Sequence, residues 1–278
     1  MRVLAVGALL LFLLSPLFAL LVELSPSSLW SLRSHPTLQE ALALSARSSL
    51  LSLSLSLSLG TPLAWWLARE APRWLRAPLM ALLALVVTLP PAVLGLALLL
   101  CFGRRGLFAP ILEPLGLMIP FSESAVVLAQ FFVSVPLYLL VASAAFQSLD
   151  QRLLWSARGL GCAPRQLLWR VAIPACLPAL AAGAALSWAR ALGEFGATLL
   201  FAGRLSGVSE TMPLAIYAAL EEDERVAIAL AILLCGGAGM ALIAAQLSAR
   251  LLRSSRLRLS AHQPPRSQQK GEVNRRSG

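Results

Sequence analysis

Charged residues are scarce in this chain. Asp, Glu, Lys and Arg make up 13% of its 278 residues, against about 25% in soluble domains. Hydrophobic residues make up 58%, and the mean hydropathy of +0.77 excludes an ordinary soluble domain. Apolar runs of about 20 residues recur, which is the length of a membrane-spanning helix, whereas the strands of a membrane barrel are nearer 10 residues. The composition therefore predicts an all-α polytopic membrane protein.

Groups that support covalent or metal chemistry are also few. The two histidines, His35 and His262, lie in a loop and in the C-terminal tail, with no partners nearby for catalysis or metal ligation. The four cysteines form no CxxC pair, so neither a disulfide framework nor a zinc site is indicated. No G-x-x-x-x-G-K-[ST] phosphate loop occurs, so we expect any ATP hydrolysis to take place on another chain.

Six membrane spans are predicted from the apolar runs. The first follows Met1-Arg2 and is longer than the usual signal-peptide core of about 7–15 residues, with no clean A-x-A cleavage site. We therefore interpret it as a retained helix. The predicted spans lie near residues 3–23, 44–68, 78–101, 124–147, 175–201 and 226–250.

The basic residues orient these spans. Most of the 23 Lys and Arg residues fall at the N-terminus, in the loops at 69–77 and 148–174, and in the tail after 250. Because Lys and Arg collect in cytoplasmic loops, we expect both termini to be cytoplasmic. The net charge of +10 then needs no nucleic-acid partner.

Three regions follow from these spans. They are a first helix with a periplasmic loop (1–43), a transmembrane core (44–250), and a basic tail (251–278) rich in Ser, Arg, Gln and Pro that we expect to be disordered and cytoplasmic.

Two spans contain unusual residues. Serines alternate with leucines from Ser52 to Ser58, but an open strand edge cannot lie in lipid. As a helix, this segment has two i,i+4 rows of serines that either pack between helices or line a polar pore. Pro90 and Pro91 interrupt the third span, where they form either a kink or a break beside a translocation path.

The loop at 148–174 is hydrophilic and patterned. Residues 165–170 predict one or two amphipathic turns, Gly161 predicts a bend, and Pro174 predicts a helix stop. Such a compact segment suits docking to a cytoplasmic partner, and the alternative is an ordinary basic connector. The candidate docking residues are Trp155, Ser156, Ala157, Arg158, Gly161, Arg165, Val171, Ile173 and Pro174.

A second motif places two opposite charges inside the fifth span. Arg190 and Glu194 are four residues apart, so on a helix they can face each other. A lone arginine near the bilayer centre costs about 2.5–3.5 kcal/mol on insertion scales, and pairing lowers that cost. The pair either fixes helix packing or guides an anion. Gly193 and Gly196 would allow another backbone to come close.

Segment 155–174 resembles the EAA motif of ABC-transporter permeases, which has Glu-Ala-Ala, three residues, Gly, nine residues and then Ile-x-Leu-Pro. The same spacing separates Trp155-Ser156-Ala157, Gly161 and Val171-Ala172-Ile173-Pro174. Trp155 stands in place of the leading Glu and Ser156 in place of the first Ala, so any polar contact made by that Glu does not carry over. In the family, this loop forms the coupling helices that sit in a cleft of the ATPase subunit.

The second motif narrows the resemblance. Arg-Ala-Leu-Gly-Glu-Phe-Gly-Ala-Thr at 190–198 is similar to permeases of the molybdate transporter, the ModB type. Leu89-Pro90-Pro91-Ala-Val-Leu-Gly95 resembles that family's Leu-Pro-Pro…Gly segment, and residues 103–106 resemble its Gly-Arg-Arg-Gly. The resemblance covers about residues 45–250. Sulfate and thiosulfate permeases share a near variant of the second motif, so it implies the oxyanion class more firmly than the ion.

The resemblance implies a type I ABC importer permease fold. It implies a non-catalytic permease subunit for an oxyanion in the bacterial inner membrane, with molybdate favoured over tungstate, sulfate or thiosulfate. The implied partners are a second copy of this chain, two cytoplasmic ABC ATPase subunits that bind ATP and Mg, a periplasmic oxyanion-binding protein and membrane lipid. No cofactor or metal is expected on this chain.

Further residues are assigned to the path and its outer end. Arg104 and Arg105, at the outer end of the third span, either snorkel to the interface or form a positive periplasmic lip. Arg47 belongs to the same entry path or lies at the interface. The residues expected along the translocation path or at its gate are Arg190, Gly193, Glu194, Gly196, Thr198, Pro90, Pro91 and Arg47.

Two other classes would leave different sequence patterns. A secondary transporter typically shows repeated halves with corresponding broken helices, and no convincing repeat occurs here. A membrane-embedded enzyme would need a cluster of His, Asp or Glu at membrane depth, and Glu194 stands alone in its span. Both patterns favour the ABC permease over these alternatives.

Overall fold

Helices account for nearly all of the structure, a computed structural model that describes residues 2–23 and 36–261. The helices are α1 (Arg2–Val22), α2 (Pro36–Arg69), α3 (Arg73–Thr88), α4 (Pro91–Phe102), α5 (Ala109–Leu112), α6 (Glu123–Gln147), α7 (Gln151–Gly159), α8 (Pro164–Gln166), a π-helical stretch (Leu167–Ala172), α9 (Ile173–Leu192), α10 (Gly196–Phe201), α11 (Met212–Glu222) and α12 (Glu224–Ala261).

Up to five candidate membrane spans occur within the described residues. Four are long apolar helices, at Leu4–Val22, Leu38–Arg69, Glu123–Gln147 and Pro164–Leu192, and the fifth is the bent pair formed by α3 and α4. The sixth predicted span, near 226–250, falls in α12, where the side chains beyond Ile243 lie outside the described part.

Two predicted boundaries are wrong. The second span begins at Pro36 rather than near residue 44, because a proline is favoured in the first turn of a helix, so the predicted boundary at residue 43 falls inside α2. At the other end, α12 continues to Ala261, so the tail expected to be disordered from 251 is helical up to that residue. No Gly or Pro interrupts the sequence there before Pro264. Residues 262–278, with His262, and loop residue His35 lie outside the described residues.

The core of the molecule is the parallel pair α2 and α6. Thr61 hydrogen-bonds Tyr138 across the pair at 2.7 Å, and the Ser143 hydroxyl donates to the Ala64 carbonyl at 3.4 Å. Helix α9 packs on α6 in the opposite direction, since the Ser187 hydroxyl donates to the Ser134 carbonyl at 3.0 Å. These relative directions match the alternation predicted for the second, fourth and fifth spans.

The serine rows of α2 differ in environment. Ser52 and Ser56 are fully buried within the chain, so this row packs between helices rather than lining a pore. Ser54 and Ser58 are exposed, and their hydroxyls donate to the Leu50 and Leu55 carbonyls of the same helix. The first row therefore serves helix packing, and the second forms hydrogen bonds within its own helix.

Arg69 joins the C-terminal ends of α2 and α6. Its guanidinium donates to the Phe146 carbonyl from Nε at 3.0 Å and from Nη2 at 2.6 Å, and Nη2 also donates to the Leu149 carbonyl at 2.8 Å. The last carbonyls of a helix lack intrahelical partners and carry partial negative charge. Arg69 therefore caps α6 immediately before α7 begins.

The variant Arg69→Gln should destabilise the protein, because the shorter neutral side chain leaves those carbonyls without their donors. Hydrogen bonds to a charged group contribute about 1.5–3 kcal/mol each, so the loss should exceed that of the control Arg152→Gln, an exposed arginine on α7. Thermal unfolding in detergent measures both variants. Equal unfolding midpoints for the two variants would contradict the capping role.

Candidate functional site

Pro90 and Pro91 break the third span completely. Leu89 and Pro90 have extended ψ angles of 141° and 133°. The helix axis bends by 112° between α3 and α4. A proline lacks the N–H that a helix needs, and it also pushes the preceding residue out of the helical region. Two adjacent prolines therefore give a sharp turn rather than the kink that was the alternative.

The fifth span is also broken, so the prediction of a continuous helix over 175–201 is wrong. Helix α9 ends at Leu192, and α10 starts at Gly196 after Phe195, whose φ and ψ are −121° and −57°. Glu194 lies in this gap, fully buried. Its Oε1 accepts a hydrogen bond from the Ala197 N–H at 2.8 Å, so the carboxylate caps the first turn of α10.

Arg190 and Glu194 form the predicted ion pair. Arg190 lies in the last turn of α9, whereas Glu194 lies just beyond the end of that helix. The Arg190 Nη1 donates to the second carboxylate oxygen of Glu194, Oε2, at 2.7 Å. The arginine side chain is 33% exposed, whereas the glutamate side chain is not exposed at all. Both oxygens of the buried carboxylate are thus satisfied within the chain, which supports a structural role for the pair.

The two breaks lie against each other. A Cβ at Gly95 on α4 would lie 2.7 Å from the Ala197 Cα on α10, and a Cβ at Gly196 would lie 3.1 Å from the Pro91 Cβ. The prediction that Gly196 admits a close backbone is confirmed. Gly193 does not take part, since the nearest atom to a Cβ there is a carbonyl of its own helix at 3.6 Å.

Apolar packing surrounds this crossing of α4 and α10, which we call the gate crossing. Thr198 is fully buried on α10, and its hydroxyl makes no hydrogen bond among the described residues. The neighbouring buried cluster comprises Leu94, Leu98, Ala125, Val126, Ala129, Val133, Ala197, Phe201 and Ala202. The sequence had pointed to the two motifs separately, but only the fold shows that they touch.

The segment 148–174 is mostly helical, and one of its predicted features differs in the structure. Pro174 does not stop a helix, because α8, the π-helical stretch and α9 run on without a gap from Pro164 to Leu192. A π-helical insertion is a common way to accommodate a missing N–H donor. Gly161 forms the predicted bend with φ +80°, but a Cβ there would meet no atom of this chain within 4 Å. Its requirement is therefore conformational rather than steric.

The helix-turn-helix made by α7, α8 and the π-helical stretch, which we call the coupling knob after its predicted role, is anchored to the core by its leucines. Leu154, Leu167 and Leu168 are buried in one cluster with Trp65 and Phe146. The two aromatic rings meet edge to face, with their centroids 5.4 Å apart. The knob therefore packs directly against α2, α6 and α9.

The outward face of the coupling knob carries exposed apolar side chains. Leu160 is 89% exposed, Trp155 63% and Trp169 53%. Leu160 and Trp169 were not among the sequence candidates, because an apolar residue in a helical pattern is normally assigned to a core. Of the predicted residues, Ser156, Arg158, Gly161, Arg165 and Pro174 are exposed, whereas Ala157, Val171 and Ile173 are half-buried. The exposed residues form a surface suited to a protein partner.

The arginines predicted to lie on the outer side have different surroundings. Arg47 forms an ion pair with Glu123, with Nε 2.6 Å from Oε1 and Nη2 2.7 Å from Oε2. Sequence analysis missed this partner, which lies 76 residues away in the chain. Arg104 and Arg105 are exposed, and Arg104 lines a cavity of about 400 Å³ whose wall includes Glu113. No group of three potential metal ligands occurs among the described residues.

The chain has the architecture and motifs of an ABC-importer membrane subunit, and comparison with known proteins agrees. Residues 60–253 match the family described as "Binding-protein-dependent transport system inner membrane component". The chain belongs to this family and, within it, to the ModB group of molybdenum permeases. It is thus a multi-pass inner-membrane permease subunit of an ABC transporter and not the ATPase.

The relatives support this placement. The molybdenum transport system permease protein ModB of Mycobacterium tuberculosis is 42% identical over 223 residues, covering 80% of this chain and 84% of that protein. The ModB protein of Escherichia coli K12 is 35% identical over 184 residues, covering 66% of this chain and 80% of that protein.

Solved structures show the same fold. A bacterial ABC transporter that imports the acidic polysaccharide alginate matches with a TM-score of 0.73 at 17% identity, over 90% of this chain and 93% of that chain. An inward-facing MetNI methionine ABC transporter matches with a TM-score of 0.57 at 16% identity, over 82% of this chain and 99% of that chain. The predicted ABC importer permease fold is confirmed.

The variant Arg190→Ala should destabilise the protein more than Arg190→Ala combined with Glu194→Ala. The single change leaves a fully buried carboxylate without its counter-charge, at a cost of about 3–5 kcal/mol. The double change removes the charge as well, and leaves only a smaller penalty for the lost cap of α10. Assembly yield and unfolding temperature in detergent measure the difference. Equal damage from the single and double variants would argue against a structural ion pair.

The variant Gly95→Ala should loosen the gate crossing, since its methyl group would overlap the Ala197 backbone. Overpacking of this kind costs about 1–3 kcal/mol. The matched control is Gly236→Ala on α12, where an added Cβ meets nothing within this chain. Thermal unfolding of both proteins compares them, and an unfolding midpoint for Gly95→Ala at or above that of the control would exclude a tight crossing.

Proposed function

We propose that this chain is the membrane subunit of an ATP-driven importer of molybdate. The chain acts as a gate in this proposal, because the motifs that it shares with the family form a crossing of broken helices rather than a reactive centre. In this proposal two copies form a homodimer with the pore on its axis, two cytoplasmic ATPase subunits hold ATP and Mg, and a periplasmic protein delivers the oxyanion. The N- and C-termini lie in the cytoplasm.

One structural observation carries the gating mechanism. The helical segment from Pro164 to Leu192 connects the coupling knob directly to the second break. Its 29 residues span roughly 43 Å at about 1.5 Å per residue, enough to cross the hydrocarbon core of a bilayer. A shift of the knob at one end is therefore transmitted to Arg190 and Glu194 at the other.

The gate crossing would open when the helical segment from Pro164 to Leu192 moves. Gly196 lies two residues after Glu194 and packs closely against Pro91, so a shift of α10 would displace α4. When the ATPase dimer closes on ATP, it would draw the two coupling knobs together. The helical segments that follow the knobs would then tilt, and the two gate crossings would move apart on the periplasmic side. Hydrolysis would then restore the inward-facing arrangement.

In this proposal, the periplasmic protein rather than this chain selects the ion. Arg190 neutralises Glu194 within the chain, so the crossing presents no unpaired cation that would retain a divalent anion. The periplasmic protein would supply most of the discrimination between ions. Arg104 and Arg105, exposed at the outer end of α4, would attract the anion or an acidic surface of that protein.

Uptake by proteoliposomes that contain the complete transporter tests the substrate. We expect binding-protein-dependent accumulation of molybdate that excess tungstate suppresses, because the two oxyanions are nearly the same in size and charge. Excess sulfate should leave uptake unchanged. Accumulation of sulfate or thiosulfate at a rate equal to that of molybdate would place the chain with the sulfate-type permeases instead.

The variant Gly161→Ala should uncouple transport from ATP hydrolysis. Its φ of +80° costs an alanine about 1–2 kcal/mol, so the turn between α7 and α8 would relax to another shape. Gly159→Ala is the matched control, because it lies two residues earlier, ends α7 without a positive φ, and likewise meets nothing within 4 Å. Molybdate uptake per ATP hydrolysed should fall several-fold for Gly161→Ala only. Full coupling in both variants would contradict the docking role of this turn.

A further inference from the structure

A cationic cluster at the start of α3 forms no salt bridge with any carboxylate among the described residues. Arg73 and Arg76 lie in the first turns of α3, and the charges of Arg76 and Arg158 act on the guanidinium of Arg69. Within the described part of the chain, the salt bridges are Arg47–Glu123 and Arg190–Glu194, both away from this cluster. Arg69 is satisfied by the carbonyls of α6, which leaves the other arginines unneutralised.

A cavity lies within this cluster, between the start of α3 and the end of α6. Its volume is about 270 Å³, and it is lined by Arg73, Arg76, Ala77, Met80 and Gln147. The lining thus combines two arginines and a glutamine with an alanine and a methionine. The arginines present forked N–H donors that match the paired oxygens of a tetrahedral oxyanion.

We propose that Arg73, Arg76 and Gln147 form a binding site for a tetrahedral oxyanion group at the cytoplasmic end of α3. The positive charges of Arg73 and Arg76 would be neutralised by the anion, and the Gln147 amide would donate an additional hydrogen bond. The adjoining Arg69 would remain in place as the cap of α6, and its charge would strengthen the local positive potential.

The surroundings favour the phosphate group of an anionic phospholipid as the source of that oxyanion. Helix α3 has no buried residue in this chain, and Trp74, beside the cavity, is 77% exposed. Tryptophan is enriched at membrane interfaces, and basic pockets between helices on the cytoplasmic side bind anionic headgroups. The apolar wall formed by Ala77 and Met80 leads toward Leu82 and Leu85, which are also exposed.

A soluble oxyanion is the second source of the same chemistry. The cavity lies on the side where an imported anion is released, so the ion could occupy it on leaving the pore. That alternative rests on the proposed import function, whereas the lipid alternative does not. The two sources are therefore separable in one set of measurements.

The test compares the full-length chain, assembled with its ATPase, with the double variant Arg73→Gln/Arg76→Gln. The matched control is Arg204→Gln/Arg225→Gln, which removes the same charge from two exposed arginines that neither line the cavity nor lie in the coupling knob. One arm measures retention of phosphatidylglycerol against phosphatidylcholine by native mass spectrometry. The other titrates molybdate and inorganic phosphate into the complex in nanodiscs of phosphatidylcholine alone.

We expect phosphatidylglycerol retention to fall about tenfold or more in the Arg73/Arg76 variant and to stay unchanged in the control. Loss of saturable molybdate or phosphate binding in the same variant, with lipid retention unchanged, would support the site and identify a soluble ligand. The proposal is overturned if the variant and the control behave alike in both arms. It is also overturned if the variant loses only its association with the ATPase, because the cluster would then be a protein contact.

Discussion

The carboxylate of Glu194 is the constraint on which the proposed gate depends. It is fully buried and yet charged, so it must be satisfied from both sides, by the Arg190 guanidinium at 2.7 Å and by the Ala197 N–H at 2.8 Å. Because the first donor lies on α9 and the second on α10, the carboxylate holds the two helices in a defined relation across the break between them. Removing it would leave the start of α10 without a cap at membrane depth, where unsatisfied backbone groups are costly.

That fixed relation explains how a soluble partner could control a membrane gate. The leucines of the coupling knob are buried in the cluster around Trp65 and Phe146, and the helix that follows ends at Leu192, two residues beyond Arg190. At its far end, the contact between Gly196 and Pro91 joins the fifth span to the third. Sharp changes of backbone direction are tolerated at membrane depth where they pack against protein or line a cavity, and here two of them pack against each other.

Much of this organisation could be predicted from the sequence. The apolar runs and basic loops indicated the spans, and the spacing of Ala157, Gly161 and Pro174 indicated the coupling knob. The break after Leu192 was missed although Gly193 and Gly196 flank it, because glycines are also frequent inside continuous membrane helices. The contact of Gly95 with Ala197 and the pairing of Arg47 with Glu123 depend on tertiary packing, which no local pattern reveals. Pro174 misled the prediction, since the π-helical stretch before it lets the helix continue.

The central claim is that the gate crossing must move during transport, and a reversible cross-link tests it most directly. The Pro91 Cβ lies 3.1 Å from an ideal Cβ at Gly196, close to the separation of about 3.5–4.5 Å in disulfides. The protein would carry Pro91→Cys and Gly196→Cys after its four native cysteines are replaced by alanine, and molybdate uptake would be measured before and after oxidation. The account predicts that oxidation abolishes uptake while the ATPase stays bound, and that reduction restores it. Undiminished uptake in fully cross-linked protein would contradict the account.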